Sequence, residues 1–320
     1  MSLAERLPPA AGGFHHDALL FDDAGRLAAA AGRFAAEGLA AGDAVVVATG
    51  AWAAGVIRDA VDDDRLLVLD RRDVYRARTP AAITAFRELG ERHATGGVTR
   101  VRVIGEVDFG SSEQDRIEWQ RYEAVVNHAL AAWPLWGLCV FDTQRLPDPV
   151  LDAALRTHGG LAGPGGRAGN PDFVDPAAYV RALPVAREPL EETEPLLQAR
   201  AVTDFIRLRH SVAAELARTP GPRDAVEDFL LAVDEMTSNA VRHGRPPVDL
   251  RLWASADRLV CRIADSGEGV ADPFAGYGPA HGEDLSRGGM GLWLARQLCD
   301  HVDVIRDRSG AQVRLITHLR

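Results

Sequence analysis

The chain has 320 residues and a formal net charge of −10, from 36 Lys and Arg against 46 Asp and Glu. At about 100–200 residues per domain, this length points to two domains with cores of their own, and the acidic balance argues against a general nucleic-acid binder. The three cysteines, Cys139, Cys261 and Cys299, lack CxxC spacing and fit neither a disulfide framework nor a zinc site; each lies in an apolar run and reads as a core residue in a reducing compartment.

The first residues carry no apolar stretch of signal-peptide type. From residue 17 to 158, strand and helix signals alternate. Residues 18–21 are a short apolar run, Asp22 or Asp23 caps an Ala-rich helix to about Leu39, and Gly42-Asp43 turns the chain. Residues 44–48 and 66–70 read as buried strands. Thr79-Pro80 opens a helix to about Ala94, with proline at the first helical position. Residues 98–107 and 135–142 read as strands, 113–132 as a long helix and 148–156 as a closing helix. The most apolar stretch, 128–141, is too short to span a bilayer and contains Pro134. A cytoplasmic protein without a membrane partner is therefore expected. Strands separated by helices imply an α/β domain with a mainly parallel sheet.

Such sheets bind ligands at the carboxyl ends of their strands. The loop 49–55 has neither GK[ST] nor GxGxxG, so it is no phosphate loop and no nucleotide hydrolysis is expected in this half. The polar residues placed for a sensory ligand are His15, His16, Glu106, Tyr122, Glu123, Asn127 and Asp142, with Cys139 on the last strand. Each taken alone is as readily a structural group that fixes a loop. The set as a whole resembles the MEDS family, a sensory domain first described in regulators of methanogens and methylotrophs. The likeness runs over about 14–161. It rests on His15-x-Asp17, Val-Ile-Gly-Glu at 103–106, Arg-Tyr-Glu at 121–123 with Asn127, Leu-Cys-Val-Phe-Asp at 138–142, and the closing Arg156-Thr157-His158. Family members often read CPYD where this chain has Cys139-Val140-Phe141-Asp142. The resemblance implies a RecA/KaiC-like sheet without a P-loop, and the sensing of a small molecule or other signal that it does not name.

Domain boundaries are expected at 1–160 and 196–320, with a Gly- and Pro-rich stretch over 161–195 that reads as a flexible linker or a long surface loop, in which Phe173, Val174, Tyr179 and Val180 can still pack. In the second domain, residues 202–217 read as a helix ended by Thr219-Pro220-Gly221-Pro222. Asp224 caps a second helix, on which Leu230, Val233, Met236, Ala240 and Val241 recur at helical spacing. Paired strands follow at 248–254 and 259–264, then a loop, a helix over 291–301 and strands near 303–306 and 312–317. Strands with helices on one face make an α+β two-layer sandwich.

Glu235 and Asn239 lie one turn apart on the second helix. A carboxylate and an amide carbonyl stacked this way can hold a hard cation or orient a water. Asp265-Ser266-Gly267-Glu268-Gly269 follows an apolar strand, and Arg287-Gly288-Gly289-Met290-Gly291-Leu292 precedes a helix. Paired glycines let backbone approach a ligand, and helix N-termini bind phosphate. In this order the three stretches resemble the N, G1 and G2 boxes of the GHKL (Bergerat) ATPases. Asn239-Ala240-Val241-Arg242-His243-Gly244 and the short loop into Gly-Leu-Trp-Leu-Ala-Arg are similar to the branch of anti-sigma factor serine kinases of the RsbW and SpoIIAB type.

That resemblance implies ATP and Mg²⁺ as cofactors. It implies Asn239 on the magnesium, Glu235 as catalytic base, and Asp265 on the adenine amino group. Gly267 and Gly269 would make room for base and ribose, Gly289, Gly291 and Leu292 would present amides to the phosphates, and 271–287 would form the lid. It also implies a sigma factor and a STAS-type anti-sigma antagonist as partners, serine or threonine phosphorylation of the latter, and a homodimer. Two other readings stand beside it. One is a non-catalytic, ATP-binding or partner-sequestering module. The other is a sensor histidine kinase, for which His210 is the tempting acceptor.

Overall fold

In the computed structural model, residues 13–75, 78–94, 98, 100–278, 290–307 and 310–319 are described. The chain divides into two units, Met1–Leu183 and Pro184–Arg320.

The N-terminal unit runs β1 (His15–Phe21), α1 (Ala24–Ala41), β2 (Ala44–Ala48), α2 (Ala51–Val61), β3 (Leu67–Val68), α3 (Arg71–Val74), α4 (Thr79–Ala94), β4 (Val101–Gly105), α5 (Glu113–Ala129), β5 (Leu135–Asp142), α6 (Asp148–Thr157), β6 (Gly160–Gly163), β7 (Gly166–Gly169) and α7 (Pro176–Ala182). Its sheet has the order β3-β2-β4-β5-β1-β6-β7. All neighbours are parallel except β6 and β7, as the alternation of strands and helices requires. Of the two candidate caps for α1, Asp23 is the one used, its carboxylate accepting from Arg26 N at 2.8 Å. Gly42 ends that helix in the left-handed region, at φ 79°. Ser112 and Asp115 form a reciprocal capping box at the start of α5.

Strand periodicity sorts the side chains between the two faces of this sheet. Val45, Val47, Leu138 and Val140 pack with Leu27 and Phe34 of α1 and Ile57 of α2. Each such side chain contributes about 1.5–3 kcal/mol on full burial. The alternate residues His16 and Cys139 face α5.

The C-terminal unit holds a 3-10 turn at Pro189–Glu192, then β8 (Leu197–Ala199), α8 (Phe205–Leu216), α9 (Arg223–His243), β9 (Asp249–Ala254), β10 (Arg258–Asp265), α10 (Gly291–Leu298), β11 (His301–Asp307) and β12 (Gly310–His318). Its five-stranded sheet has the order β11-β12-β10-β9-β8 and is antiparallel throughout. The three helices contribute Val212, Phe229, Met236 and Ala295 to one core with Leu252, Cys261 and Leu315 of the strands. This is the two-layer arrangement expected of the second domain. Cys261 and Cys299 are buried in that core.

The opposite face of this sheet is covered by residues 184–193 of the same unit. Leu190 packs on Trp253, Val260 and Ile316, and Trp253 Nε1 donates to the Thr193 carbonyl at 3.1 Å. Arg314, 2% exposed, donates to Asp303 Oδ2 at 2.7 Å and to the Ala186 carbonyl at 2.6 Å, and reaches Glu191 Oε2 at 3.3 Å.

The stretch 161–195 therefore differs from the expected linker. Its first part pairs as the β6–β7 hairpin, which Arg167 ties to buried Asp17 through a 2.7 Å contact. Tyr179 of α7 is buried with Ala124 of α5 and Ala153 of α6. The remainder is the cover just described. Glycine and proline signalled loop here, but β1 offers an open edge that a glycine hairpin can pair with. Among the described residues no helix is long and apolar enough to cross a membrane.

Candidate functional site

In the C-terminal unit, α9 buries Phe229, Ala232, Val233 and Met236 on the sheet. This sets Glu235 and Asn239, both half-buried, on the flank that meets α10. A Cβ placed on Gly291 would lie 2.7 Å from Asn239 Nδ2 and 3.1 Å from Glu235 Oε2. The first residue of α10 thus closes directly on both functional groups, and only glycine leaves them in place. Met290, at the N-cap of α10, makes no side-chain cap among the described residues, and helix-start amides of this kind suit an anion. Leu292 is buried in the helix–sheet core. Gly289 lies outside the described residues.

Asp265 ends β10. Its Oδ1 accepts from Gly267 N at 2.7 Å and from Arg245 N at 3.0 Å, and Ser266 N donates to the Arg245 carbonyl at 2.8 Å. These bonds stitch the loop after β10 to the end of α9. A Cβ on Gly267 would meet Asp265 Oδ1 at 2.6 Å. Gly269 sits at φ 67°, where a side chain is strained. Asp234, beside Glu235, has its carboxyl pKa raised by burial, against the opposing pull of Arg209, whose Nε lies 2.8 Å away.

The loop expected as a lid is described only to 278. That part is anchored. Tyr277 is buried, with the Arg296 guanidinium 4.4 Å from its ring centre, and Arg296 Nη1 donates to the Val302 carbonyl at 2.9 Å. Neither residue was singled out from sequence. An arginine on an amphipathic helix gives no signal of burial until its partner loop is placed. His210 is exposed on α8, which packs on α9 within the same unit.

The oxygen donors of Glu235 and Asn239 suit a hard divalent cation that keeps water and phosphate ligands. The bare positions at Gly267 and Gly291 are cradles that a side chain would fill. These residues fit a magnesium–nucleotide.

In the N-terminal unit the expected sensory residues separate. His16 of β1, Glu123 of α5 and Cys139 of β5 come together, and His158, just after α6, joins them. Tyr122 is buried beside this cluster and lines a cavity of about 10 Å³ with Phe14, His16, Tyr75, Phe86 and Cys139. That is room for about one water-sized group. Asn127 has a supporting place, its Nδ2 donating to the carbonyls of Glu123 and Thr157 at 3.0 Å each. Three residues fall elsewhere. His15 is tilted against Trp136 at 5.2 Å between ring centres. Asp142 accepts from Gln144 N at 2.9 Å in the turn after β5. Glu106, at the carboxyl end of β4, accepts from Gly50 N at 2.7 Å. Gly50 is the N-cap of α2, so a carboxylate of the chain holds the helix-start position that a phosphate loop gives to phosphate.

Electrostatically the cluster is tense. Burial lowers the His16 pKa, with His158 adding to the effect and Glu123 opposing it. Burial pushes the Glu123 carboxyl up, but the His158 and His16 rings outweigh it and hold the group at about 2. Burial also raises the Cys139 thiol well above its ordinary value.

Two family models match the chain. One is the MEDS domain, the methanogen/methylotroph DcmR sensory domain, over residues 15–159. The other is the histidine kinase-like ATPase domain, over 199–317. The C-terminal region is similar to the serine-protein kinase RsbW of Bacillus subtilis (strain 168), with 32% identity over 123 residues, 35% of this chain and 76% of that protein. RsbW of Bacillus velezensis is 35% identical over 107 residues, 30% of this chain and 66% of that protein. RsbW of Staphylococcus epidermidis is 26% identical over 146 residues, 41% of this chain and 91% of that protein.

Proposed function

Since the chain belongs through its C-terminal unit to the RsbW serine-protein kinase family, and carries a MEDS domain ahead of it, we propose that it is an ATP-dependent serine/threonine protein kinase under the control of a sensory domain. The observation that carries this reading is the closure of Gly291 on Glu235 and Asn239. It puts a carboxylate, an amide oxygen and helix-start amides within one small volume.

Bound Mg-ATP supplies the phosphoryl group and neutralises charge as it leaves. Phosphoryl transfer needs mainly positioning and charge compensation, and the residues divide those tasks. The Asn239 amide oxygen holds the magnesium. The Glu235 carboxylate orients the incoming hydroxyl and takes its proton. The α10 amides at Gly291 and Leu292 would receive phosphate oxygens, with Gly289 ahead of them in the sequence. Asp265 commits Oδ1 to Gly267 and Arg245, which leaves Oδ2 to accept the adenine amino group, and Gly267 and Gly269 leave space for base and ribose.

The phosphorylated partner is a STAS-type antagonist, and a sigma factor is the protein released or captured by the switch. The N-terminal unit senses the signal that sets it. The test starts with calorimetry of Mg-ATP on the intact protein and on Asn239→Ala. Transfer of labelled phosphate to a STAS-type antagonist is then compared with Glu235→Ala. Binding lost in Asn239→Ala and transfer lost in Glu235→Ala are expected. Binding that survives Asn239→Ala overturns the site. Binding without any transfer identifies a partner-sequestering module instead, and acid-labile phosphate on His210 a histidine kinase.

A further inference from the structure

The buried cluster of the N-terminal unit has the form of a metal site. His16, Glu123, Cys139 and His158 are each at most 7% exposed, and one donor atom from each lies within 4.8 Å of all the others. The separations are 3.2 Å for His16 Nε2 to Glu123 Oε2, 3.4 Å for His158 Nε2 to Glu123 Oε2 and 3.3 Å for His16 Nε2 to Cys139 Sγ. A tetrahedral zinc ion, with bonds of about 2.0 Å to nitrogen and oxygen and about 2.3 Å to sulfur, spaces its ligands by about 3.3 Å for N···O and about 3.5 Å for N···S. The three separations given are close to those edges, and the remaining ones lie within 4.8 Å.

Among the described residues, hydrogen bonding accounts for the His16–Cys139 contact but not for the contacts to Glu123. Neither Glu123 oxygen has a hydrogen-bond partner, nor does His158 Nε2. His158 Nδ1 lies 2.8 Å from the Ala154 carbonyl, which can only accept. The ring proton is therefore on Nδ1, and Nε2 turns a bare lone pair toward a carboxylate. A second-sphere carbonyl of this kind is the usual device for orienting a ligating imidazole. Two acceptors facing each other out of reach of water are unfavourable unless a cation stands between them.

We propose that the N-terminal unit binds one borderline divalent ion of the zinc class on His16, Glu123, Cys139 and His158. Two imidazole nitrogens, one thiolate and one carboxylate are the donor mixture of zinc rather than of magnesium or calcium. Binding expels the thiol proton of Cys139. The ion's two positive charges then meet the Glu123 carboxylate and the Cys139 thiolate, and the buried site is neutral. The cavity beside His16 and Cys139 leaves room for one small group next to the ion. The proposal is independent of the kinase reading, since every ligand lies in the other unit.

The full-length protein, stripped with a chelator, is titrated with Zn²⁺ and separately with Co²⁺. One equivalent is expected, with the visible bands of four-coordinate cobalt and a sulfur-to-cobalt charge-transfer band. Cys139→Ser removes the charge-transfer band, whereas Cys261→Ser keeps it. Glu123→Gln and His158→Gln weaken Zn²⁺ binding by roughly tenfold or more. Asn239→Ala binds as the parent does. If a variant fails to fold by circular dichroism, the parent's cobalt spectrum decides alone. The assignment is overturned by a six-coordinate spectrum without the sulfur band, by less than a tenth of an equivalent bound, or by equal uptake in Glu123→Gln. Failure to bind would mean that a second proton on His158 compensates Glu123 instead.

Discussion

At Gly291 one missing methyl group keeps Asn239 and Glu235 where they are. The nearest atom to an added Cβ is the end of the Asn239 side chain, which can swing away, so Gly291→Ala should fold. Its cost falls on the ligand. Displacing an amide from a charged partner forfeits about 1.5–3 kcal/mol, roughly ten- to a hundredfold in affinity. Calorimetry of Mg-ATP should show this loss with no drop in melting temperature, and an unchanged Kd would mean that Asn239 does not touch the ligand. Glu235 and Asn239 were readable from their spacing, because a helix fixes which side chains share a face. His158 and Cys139 were not assignable as partners. All three cysteines read as core from their apolar runs, and although Cys139 was also placed among the sensory residues, no spacing along the chain tied it to His158, because this cluster draws each member from a different element. His158 stood in the sequence as part of a closing motif, with nothing to show that α6 would return it to β1.

At the scale of elements, strands and helices were legible wherever apolar periodicity was strong. α4 and β10 fall close to their expected bounds, β1 starts earlier than expected, at His15, and α9 is entered through Pro222 rather than capped by Asp224, which lies in its first turn. The helix expected to reach residue 301 stops at Leu298, and His301 begins β11. The larger departure was in 161–195, where pairing partners rather than composition decide the structure. Gly160 shows why. A side chain there would collide with Asp17 and Arg167, so the glycine is a packing choice rather than a sign of looseness. The cover over the second sheet was equally hidden, because β12 alternation places Arg314 on what looks like a solvent face. Arg314→Ala removes the guanidinium from Asp303, Glu191 and the Ala186 carbonyl together. Breaking a buried pair from one side costs about 3–5 kcal/mol. Urea unfolding should show a free energy lowered by that amount, read as a lower midpoint at unchanged slope. A loss under about 1 kcal/mol, the range of exposed pairs, would mean that the cover is peeled back in solution.

For the whole molecule, two cores and two ligand chemistries imply two addresses for stabilisation. A ligand that binds only the folded form at 100 times its Kd adds about 2.7 kcal/mol. In scanning calorimetry Mg-ATP should raise one transition, and chelation of the metal-loaded protein should lower the other. A single transition moved equally by both treatments would contradict separate sites. The matched MEDS segment spans 15–159, and the rings of His16 and His158, nearly its first and last residues, stand 3.8 Å apart. The chain thus enters and leaves that segment at one point. Carried together with the β6–β7 hairpin and α7 that complete its unit, a segment closed on itself in this way can be relocated as a cassette, spliced before an unrelated effector.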